Sequence, residues 1–262
     1  MELNILMSYV KKSVLRYIED WVKLTERIGF WLDMSDAYFT FTNDYIETVW
    51  WILKQIYDKD LLYEGYKVIT YCPRCGTPLS SHEVAQGYKE VEDPSVYVKF
   101  KLKDEDSNFL VWTTTPWTLL SNVALAVNLG EDYVEISKNN EKLILAKTLL
   151  NEVIKEPYQI LRTFKGKVLI GKRYEPLFNY VSLKNDCYFV VDADFVSLKE
   201  GTGIVHIAPA FGVDDMNLAR EKGLPIIQLV DESGKIKKKA VDFAGLFVKE
   251  ADPEIIKILI QR

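Results

Sequence analysis

Two segments hold residue types that could do chemistry together. In Trp112-Thr113-Thr114-Thr115-Pro116-Trp117-Thr118, followed by Ser121-Asn122, three threonines stand where a strand is halted by proline. Hydroxyls and backbone groups on such a turn can hydrogen-bond a carbonyl, a ribose or a water. Threonine also simply suits strands, and the spacing leaves both readings open. The second segment is Gly201-Thr202-Gly203-Ile204-Val205-His206-Ile207-Ala208-Pro209-Ala210-Phe211-Gly212-Val213-Asp214-Asp215. Here a strand carries His206, a Gly/Pro loop follows, and an acidic pair opens a helix. Taken singly, an Asp at a helix start is most often a cap, and a lone histidine is most often packed and satisfied. A third feature, Cys72-Pro73-Arg74-Cys75, puts two thiols on a tight turn, half of what a structural zinc takes.

Other chemistries are excluded by composition. With only two histidines, His82 and His206, neither a two-His helical metal site nor a His-x-Gly-His nucleotide signature can exist. There is no Walker-type glycine loop and no Gly-x-Ser-x-Gly elbow. Three cysteines, two of them paired by spacing, fit a metal half-site in a reducing compartment better than a disulfide framework. Lys+Arg 33 against Asp+Glu 38 leaves a net charge of -5, so contact with nucleic acid must come from a local patch. No apolar run approaches the ~20 residues of a membrane span, and the N-terminus lacks a signal-peptide pattern. The expectation is a soluble, cytoplasmic protein with no membrane partner.

The elements that must position these residues follow from periodicity. Val10, Val14, Ile18, Trp21, Leu24 and Ile28 share one helical face, and Gly29 is a natural stop. A second helix is expected to begin near Asn43-Asp44, with Ile46, Val49, Trp50, Leu53 and Ile56 as its stripe. Trp50 and Trp51 are costly to leave in water. That stripe covers either the first helix, as soluble helices usually arrange, or another domain. Beyond the knuckle, Val96, Val98, Phe100 and Leu102 alternate as in a half-buried strand. Further short strands are expected at 109–113, 123–127, 133–136, 142–146, 167–170, 187–191, 203–207 and 226–230. Many short strands joined by turns suggest a barrel or sandwich. Two late helices interrupt them. One runs from Asp214-Asp215 to before Gly223; the other has Asp252 as N-cap and Pro253 in its first position. The expected division is a helical lead-in over residues 1–66, a knuckle over 67–89 and a β-rich domain over 90–262.

The two strips together resemble those of the editing domain of the isoleucyl-tRNA synthetase family. The upstream runs Leu24-Thr25-Glu26-Arg27-Ile28-Gly29-Phe30-Trp31 and Asn43-Asp44-Tyr45-Ile46-Glu47-Thr48-Val49-Trp50-Trp51 are similar to that family as well. So is Cys72-Pro73-Arg74-Cys75 continuing into Ser80-Ser81-His82-Glu83-Val84-Ala85. The resemblance covers nearly the whole chain from about Ser13. The valyl and leucyl relatives carry Thr-Thr-Arg-Pro in the first strip and lack the histidine, whereas this chain has Thr-Thr-Thr-Pro and His206. Leu120 stands where the family often has proline. The family's His-x-Gly-His and Lys-Met-Ser-Lys-Ser elements are not here, nor are its anticodon-binding helices. The resemblance therefore implies the large insertion of the catalytic domain with its helical lead-in, and no aminoacylation. The implied fold is mainly β with flanking helices: the β-barrel editing domain of class I aminoacyl-tRNA synthetases plus an N-terminal helical segment.

The function implied is hydrolysis of mischarged valyl-tRNA(Ile), and of valyl-adenylate as a further candidate. The implied partners are the acceptor end of tRNA(Ile) carrying valine and the rest of the synthetase. The resemblance assigns Asp215 to the aminoacyl ammonium. Thr113, Thr114, Thr115 and Asn122 would orient the ester, the terminal adenosine and the water, with His206 as a wall of the side-chain pocket. Trp117, Thr118, Ala208 and Phe211 are expected to line the substrate site. No cofactor is expected for hydrolysis. Structural zinc on Cys72 and Cys75 is expected only if ligands outside this chain complete it. Two rival readings remain: a fragment that binds the aminoacylated acceptor end without turnover, and a metal-dependent scaffold in which the threonines are strand filler.

Overall fold

The stripe from Val10 to Ile28 does not form one helix. It is divided between α1 (Glu2–Leu15) and α2 (Ile18–Arg27), because the backbone leaves helical geometry at Tyr17 (φ −107°, ψ 10°). No glycine or proline stands there to announce the break. The stop at Gly29 has a physical cause in the structure. Gly29 takes φ +78°, its N–H reaches the carbonyl of Glu26, and the N–H of Phe30 reaches that of Thr25. Those two bonds satisfy the last orphan carbonyls of α2, as a Schellman ending does. Then comes α3 (Asn43–Tyr57).

This computed structural model describes residues 2–182 and 186–261, in two compact units, Met1–Gly65 and Tyr66–Arg262. The local packing of the tryptophan stripe is corrected by the first unit. No residue of α2 or α3 is buried, and Trp50 and Trp51 are 72% and 63% exposed. Three short helices supply too little chain to cover their own apolar faces.

In the second unit, β1 (Tyr71–Cys72) and β2 (Thr77–Pro78) make the knuckle, and α4 (Ser81–Gln86) follows. A capping box opens α4: Ser80 Oγ accepts from Glu83 N–H, and the Glu83 carboxylate accepts from Ser80 N–H. The remainder is mostly sheet with flanking helices. A five-stranded sheet runs in the order β3 (Val96–Lys101), β4 (Asn108–Thr113), β7 (Glu141–Ala146), β6 (Asp132–Lys138), β8 (Gln159–Lys165). A three-stranded sheet runs β10 (Val205–Ile207), β5 (Ala124–Val127), β9 (Phe189–Asp192). The hairpin joining β6 to β7 turns on Asn139 and Asn140, both at positive φ, which asparagine tolerates. The sheets are linked at two edges. Leu102 bridges to Tyr174 and Arg173 to Phe189; elsewhere Ala146 N–H donates to Thr202 C=O, just before β10. Backbone bonds therefore run around from β4 through β3, β9, β5 and β10 to β7 and back to β4. The core inside is apolar and wholly buried at Phe100, Phe109, Leu125, Ile144 and Ile204.

Three expected elements shift. Residues 167–170 are not a strand: a 3₁₀ turn occupies Gly166–Val168, and the strand there is β8. That strand is almost entirely exposed, so it lacks the alternation that would reveal it. Residues 226–230 contribute only the bridge Val230↔Ile236. The last helix, α7 (Val248–Gln261), begins before Asp252, so Asp252 is not its N-cap and Pro253 lies inside it. Two shorter helices complete the unit: α5 (Leu150–Val153) between β7 and β8, and α6 (Val213–Lys222) after β10. Among the described residues, no helix is long and apolar enough to cross a membrane.

Candidate functional site

The first strip begins at the buried end of β4. Thr113 Oγ1 accepts the N–H of Thr115 at 3.1 Å and lies 3.3 Å from Thr115 Oγ1, which lies 3.3 Å from Thr118 Oγ1. Pro116 then opens a 3₁₀ turn, Pro116–Ser121, which presents Trp117 and Thr118. The second strip begins on β10, where His206 is paired opposite Leu125. Two contacts bring the strips together. Thr118 Oγ1 is 3.0 Å from His206 Nε2, and the Trp117 and Phe211 rings meet edge to face at 4.7 Å.

Proton placement at His206 follows from these bonds. Thr118 Oγ1 is 2.7 Å from the carbonyl of Thr115, which can only accept, so the single hydroxyl hydrogen points there. Thr118 must then accept from His206, which places the imidazole proton on Nε2. Nδ1 is left buried without a partner among the described residues. Burial lowers the His206 pKa to about 4, so the ring is neutral near pH 7. A neutral ring with its Nε2 proton committed to Thr118 is a donor there, not a proton acceptor at that nitrogen.

Asp215 stands in the first turn of α6 but does not cap it. The N-cap is Gly212, which has no side chain to offer. The Asp215 carboxylate folds back over the preceding loop, and its Oδ2 accepts the N–H of Ala208 at 2.8 Å. A Cβ on Gly212 would come within 2.9 Å of Asp215 Cγ, so only glycine leaves room for this arrangement. Burial raises the Asp215 pKa; the Ala208 N–H opposes this, and neighbouring Asp214 adds to it. A half-buried carboxylate under such desolvation favours a cationic partner.

Thr113, Thr115, Thr118 and His206 are thus joined by hydrogen bonds, and Trp117, Phe211, Ala208 and Asp215 continue the chain of contacts. Thr114 is half-buried beside them. Asn122 is not open to a ligand in this way: it is 5% exposed, its Nδ2 donates to Ala124 C=O, and its Oδ1 accepts from Tyr174. Its role in this arrangement is to hold the end of the 3₁₀ turn to the core. Sequence reasoning missed Tyr133, whose hydroxyl accepts from Asn128 N–H and donates to Gly203 C=O, fixing the start of the second strip. It also missed Asp252, whose Oδ1 accepts the N–H of Trp117 at 2.9 Å. Asp252 and Glu254 both lie between buried Ala251 and Ile255, and the sequence does not tell which of them turns inward.

Elsewhere, Cys75 N–H donates to Cys72 Sγ at 3.4 Å, and this bond lowers the Cys72 pKa. Among the described residues no cluster of three or more His, Cys, Asp or Glu could hold a metal, so these two thiols do not make a zinc site by themselves. A cavity of about 720 Å³ opens between the β3 face and the end of α7, lined by Val98, Lys99, Leu177 and Ile256, and shares no residue with the strips. Among the described residues no threonine or serine lines it, whereas the strips bring four hydrogen-bonded groups together.

A family model described as tRNA synthetases class I (I, L, M and V) matches residues 3–232. The chain is 52% identical over 252 residues to the isoleucine–tRNA ligase of Clostridium kluyveri, covering 96% of this chain and 24% of that protein. It is 48% identical over 255 residues to the isoleucine–tRNA ligase of Thermus thermophilus, again covering 24% of that protein. The chain therefore spans about a quarter of the length of the curated relatives it matches. Among solved structures, the crystal structure of GlLeuRS-CP1 aligns with TM-score 0.51 at 15% identity, over 64% of this chain and 96% of that one. At that identity the likeness is one of fold.

Proposed function

Since the chain belongs to the class I tRNA synthetases (the I, L, M and V group), we propose that it is the editing part of an isoleucyl-tRNA synthetase and hydrolyses valyl-tRNA(Ile). The observation that carries this reading is the linkage of a half-buried carboxylate, Asp215, through Ala208, Phe211 and Trp117 to the turn that bears the hydroxyl chain Thr113–Thr115–Thr118. Valine differs from isoleucine by one methylene, worth only ~1–3 kcal/mol in a pocket, a figure for which the isoleucyl enzymes are themselves the standard example. A second, hydrolytic sieve is what such a deficit calls for.

In this mechanism Asp215 pairs with the aminoacyl ammonium while the threonine hydroxyls orient the ester and a water. The water oxygen attacks the ester carbonyl carbon. The acyl bond to the ribose oxygen then breaks, a proton passes to that oxygen, and free valine and uncharged tRNA leave. Neutral His206 does not take the proton; the neighbouring ribose hydroxyl is the group placed to relay it. We assign Thr114 to the same ester-binding wall. Hydrolysis by this route needs no cofactor. Cys72 and Cys75 would hold a structural zinc only with further ligands from the rest of the enzyme, and the knuckle of this chain alone is expected to be metal-free or weakly occupied. The exposed aromatic surface of Met1–Gly65 supports docking on that remainder, and the working compartment is the cytoplasm.

The test is release of valine from valyl-tRNA(Ile) by the chain, with isoleucyl-tRNA(Ile) as the comparison. Release from the first alone is the expected outcome. Binding of the acceptor end without release would replace hydrolysis by capture, and equal release from both would remove the sieve.

A further inference from the structure

Asp252 is a carboxylate in the interior that the mechanism above does not use. It lies on α7, 2% exposed, with Oδ1 bonded to Trp117 N–H and Oδ2 buried without a hydrogen-bond partner among the described residues. It points at the first free N–H of the 3₁₀ turn, since Pro116 has none to offer. The side chain therefore caps that turn from another element, 135 residues away. The next residue after Trp117 is Thr118, which touches Thr115 and His206; the Trp117 ring touches Phe211. Phe211 N–H bonds Ala208 C=O, and Ala208 N–H bonds Asp215. One buried anchor is thus joined to both strips. Trp117 was already among the site residues; the group that fixes its backbone was not.

We propose that Asp252 is a positioning residue for the hydrolysis, which holds the 3₁₀ turn so that Thr115 and Thr118 stand at the correct distance from His206 and Asp215. The proposal rests on the deacylation reading. What Asp252 supplies is an acceptor at a fixed reach, so side-chain length matters more than charge. Asparagine has the same reach and an acceptor oxygen for the Trp117 N–H. Glutamate keeps the charge but carries the acceptor one methylene further. Alanine leaves the Trp117 N–H with nothing.

The experiment compares Asp252→Ala, Asp252→Glu and Asp252→Asn in the 262-residue chain, reading kcat and KM for valyl-tRNA(Ile) and amide hydrogen exchange over residues 113–122. A misplacement on the order of 1 Å can cost ~100-fold in rate. Asp252→Ala and Asp252→Glu are expected to lower kcat at least about tenfold with KM within about twofold, and to speed exchange in 113–122. Asp252→Asn is expected to restore both. The proposal is overturned if Asp252→Ala turns over like the parent chain, or if Asn fails where Glu succeeds, which would make charge the relevant property. If Asp252→Ala does not fold, the Glu–Asn contrast decides. If the parent chain releases no valine, the hydrolytic reading fails while the exchange data still show whether Asp252 fixes the turn.

Discussion

His206 has its ring inside the protein with its pKa lowered to about 4, against 6.5 for the free side chain. The unfolded chain therefore binds more protons than the folded one between those values. Stability is complete above pH 6.5, is lost as the pH falls through the window, and levels off below about 4. The loss is roughly 3 kcal/mol at its largest. Asp215 and Asp252, whose pKa values are raised by burial, act in the opposite sense, with stability lost as the pH rises from 3.8 through their folded values. Urea titrations at pH 7 and pH 5 should show the parent chain weaker at pH 5 and a His206→Gln variant nearly level. A parent chain equally stable at both values would contradict neutral burial. Function separates at the acidic pair. Asp215→Asn keeps an oxygen for Ala208 N–H but gives up the charge, so it is expected to fold normally and lose about ten- to a hundredfold in hydrolysis. Asp214→Asn, at an exposed position, is expected to keep it. Equal rates for the two would reduce Asp215 to a loop anchor. Residue types alone made Asp215 look like a helix cap; that its carboxylate reaches back seven positions depends on Gly212 being small, which no local pattern encodes.

At the scale of elements, the second strip is placed by a close approach. Gly203 has φ +71°, and a Cβ there would lie 2.4 Å from the Cβ of Ala146 on β7. Both the backbone conformation and the contact exclude a side chain. Gly203→Ala is therefore expected to cost roughly 2–5 kcal/mol, read as a lower urea midpoint with an unchanged slope. Gly171, also at positive φ but with open space around it, should cost less when changed to Ala, leaving only the conformational part. Comparable losses at the two would show that the approach to Ala146 is unimportant. Strands buried on one face were legible in the sequence because Val98 and Phe100 alternate with exposed Tyr97 and Lys99. β8 was not, since one exposed edge strand has no face to mark. The beginning of α7 was misread because Asp-Pro is a frequent helix opening; here the preceding turn, from Val248, is already helical, and the Glu250 carboxylate accepts the N–H of Phe247 at its start.

Across the whole chain, the two units differ in what holds them. Every buried hydrophobic residue described lies between Val98 and Ile255, so Met1–Gly65 has no core of its own. A chain beginning at Tyr66 is expected to melt within about 3 °C of the parent, with calorimetry showing one transition for each. A second transition in the parent, absent from the shorter chain, would show a core that burial does not reveal. Neither form should exchange pyrophosphate into ATP with isoleucine, for the sequence has no His-x-Gly-His. The resemblance was legible from two strips, but the way α7 reaches back to the first strip was not, because a contact across 135 residues leaves no local trace. The order of strands has a further consequence, for time. β5 pairs in parallel with β9, and β4 in parallel with β7, so neither pair can form as a hairpin. Such pairings close long loops before any contact rewards them, which makes folding slow. Residues 113–118 meet 206–215 across a similarly long loop, and Asp252 joins from beyond both. The hydroxyl chain should accordingly be among the last features to acquire protection when the chain refolds, well after the β6–β7 hairpin has formed.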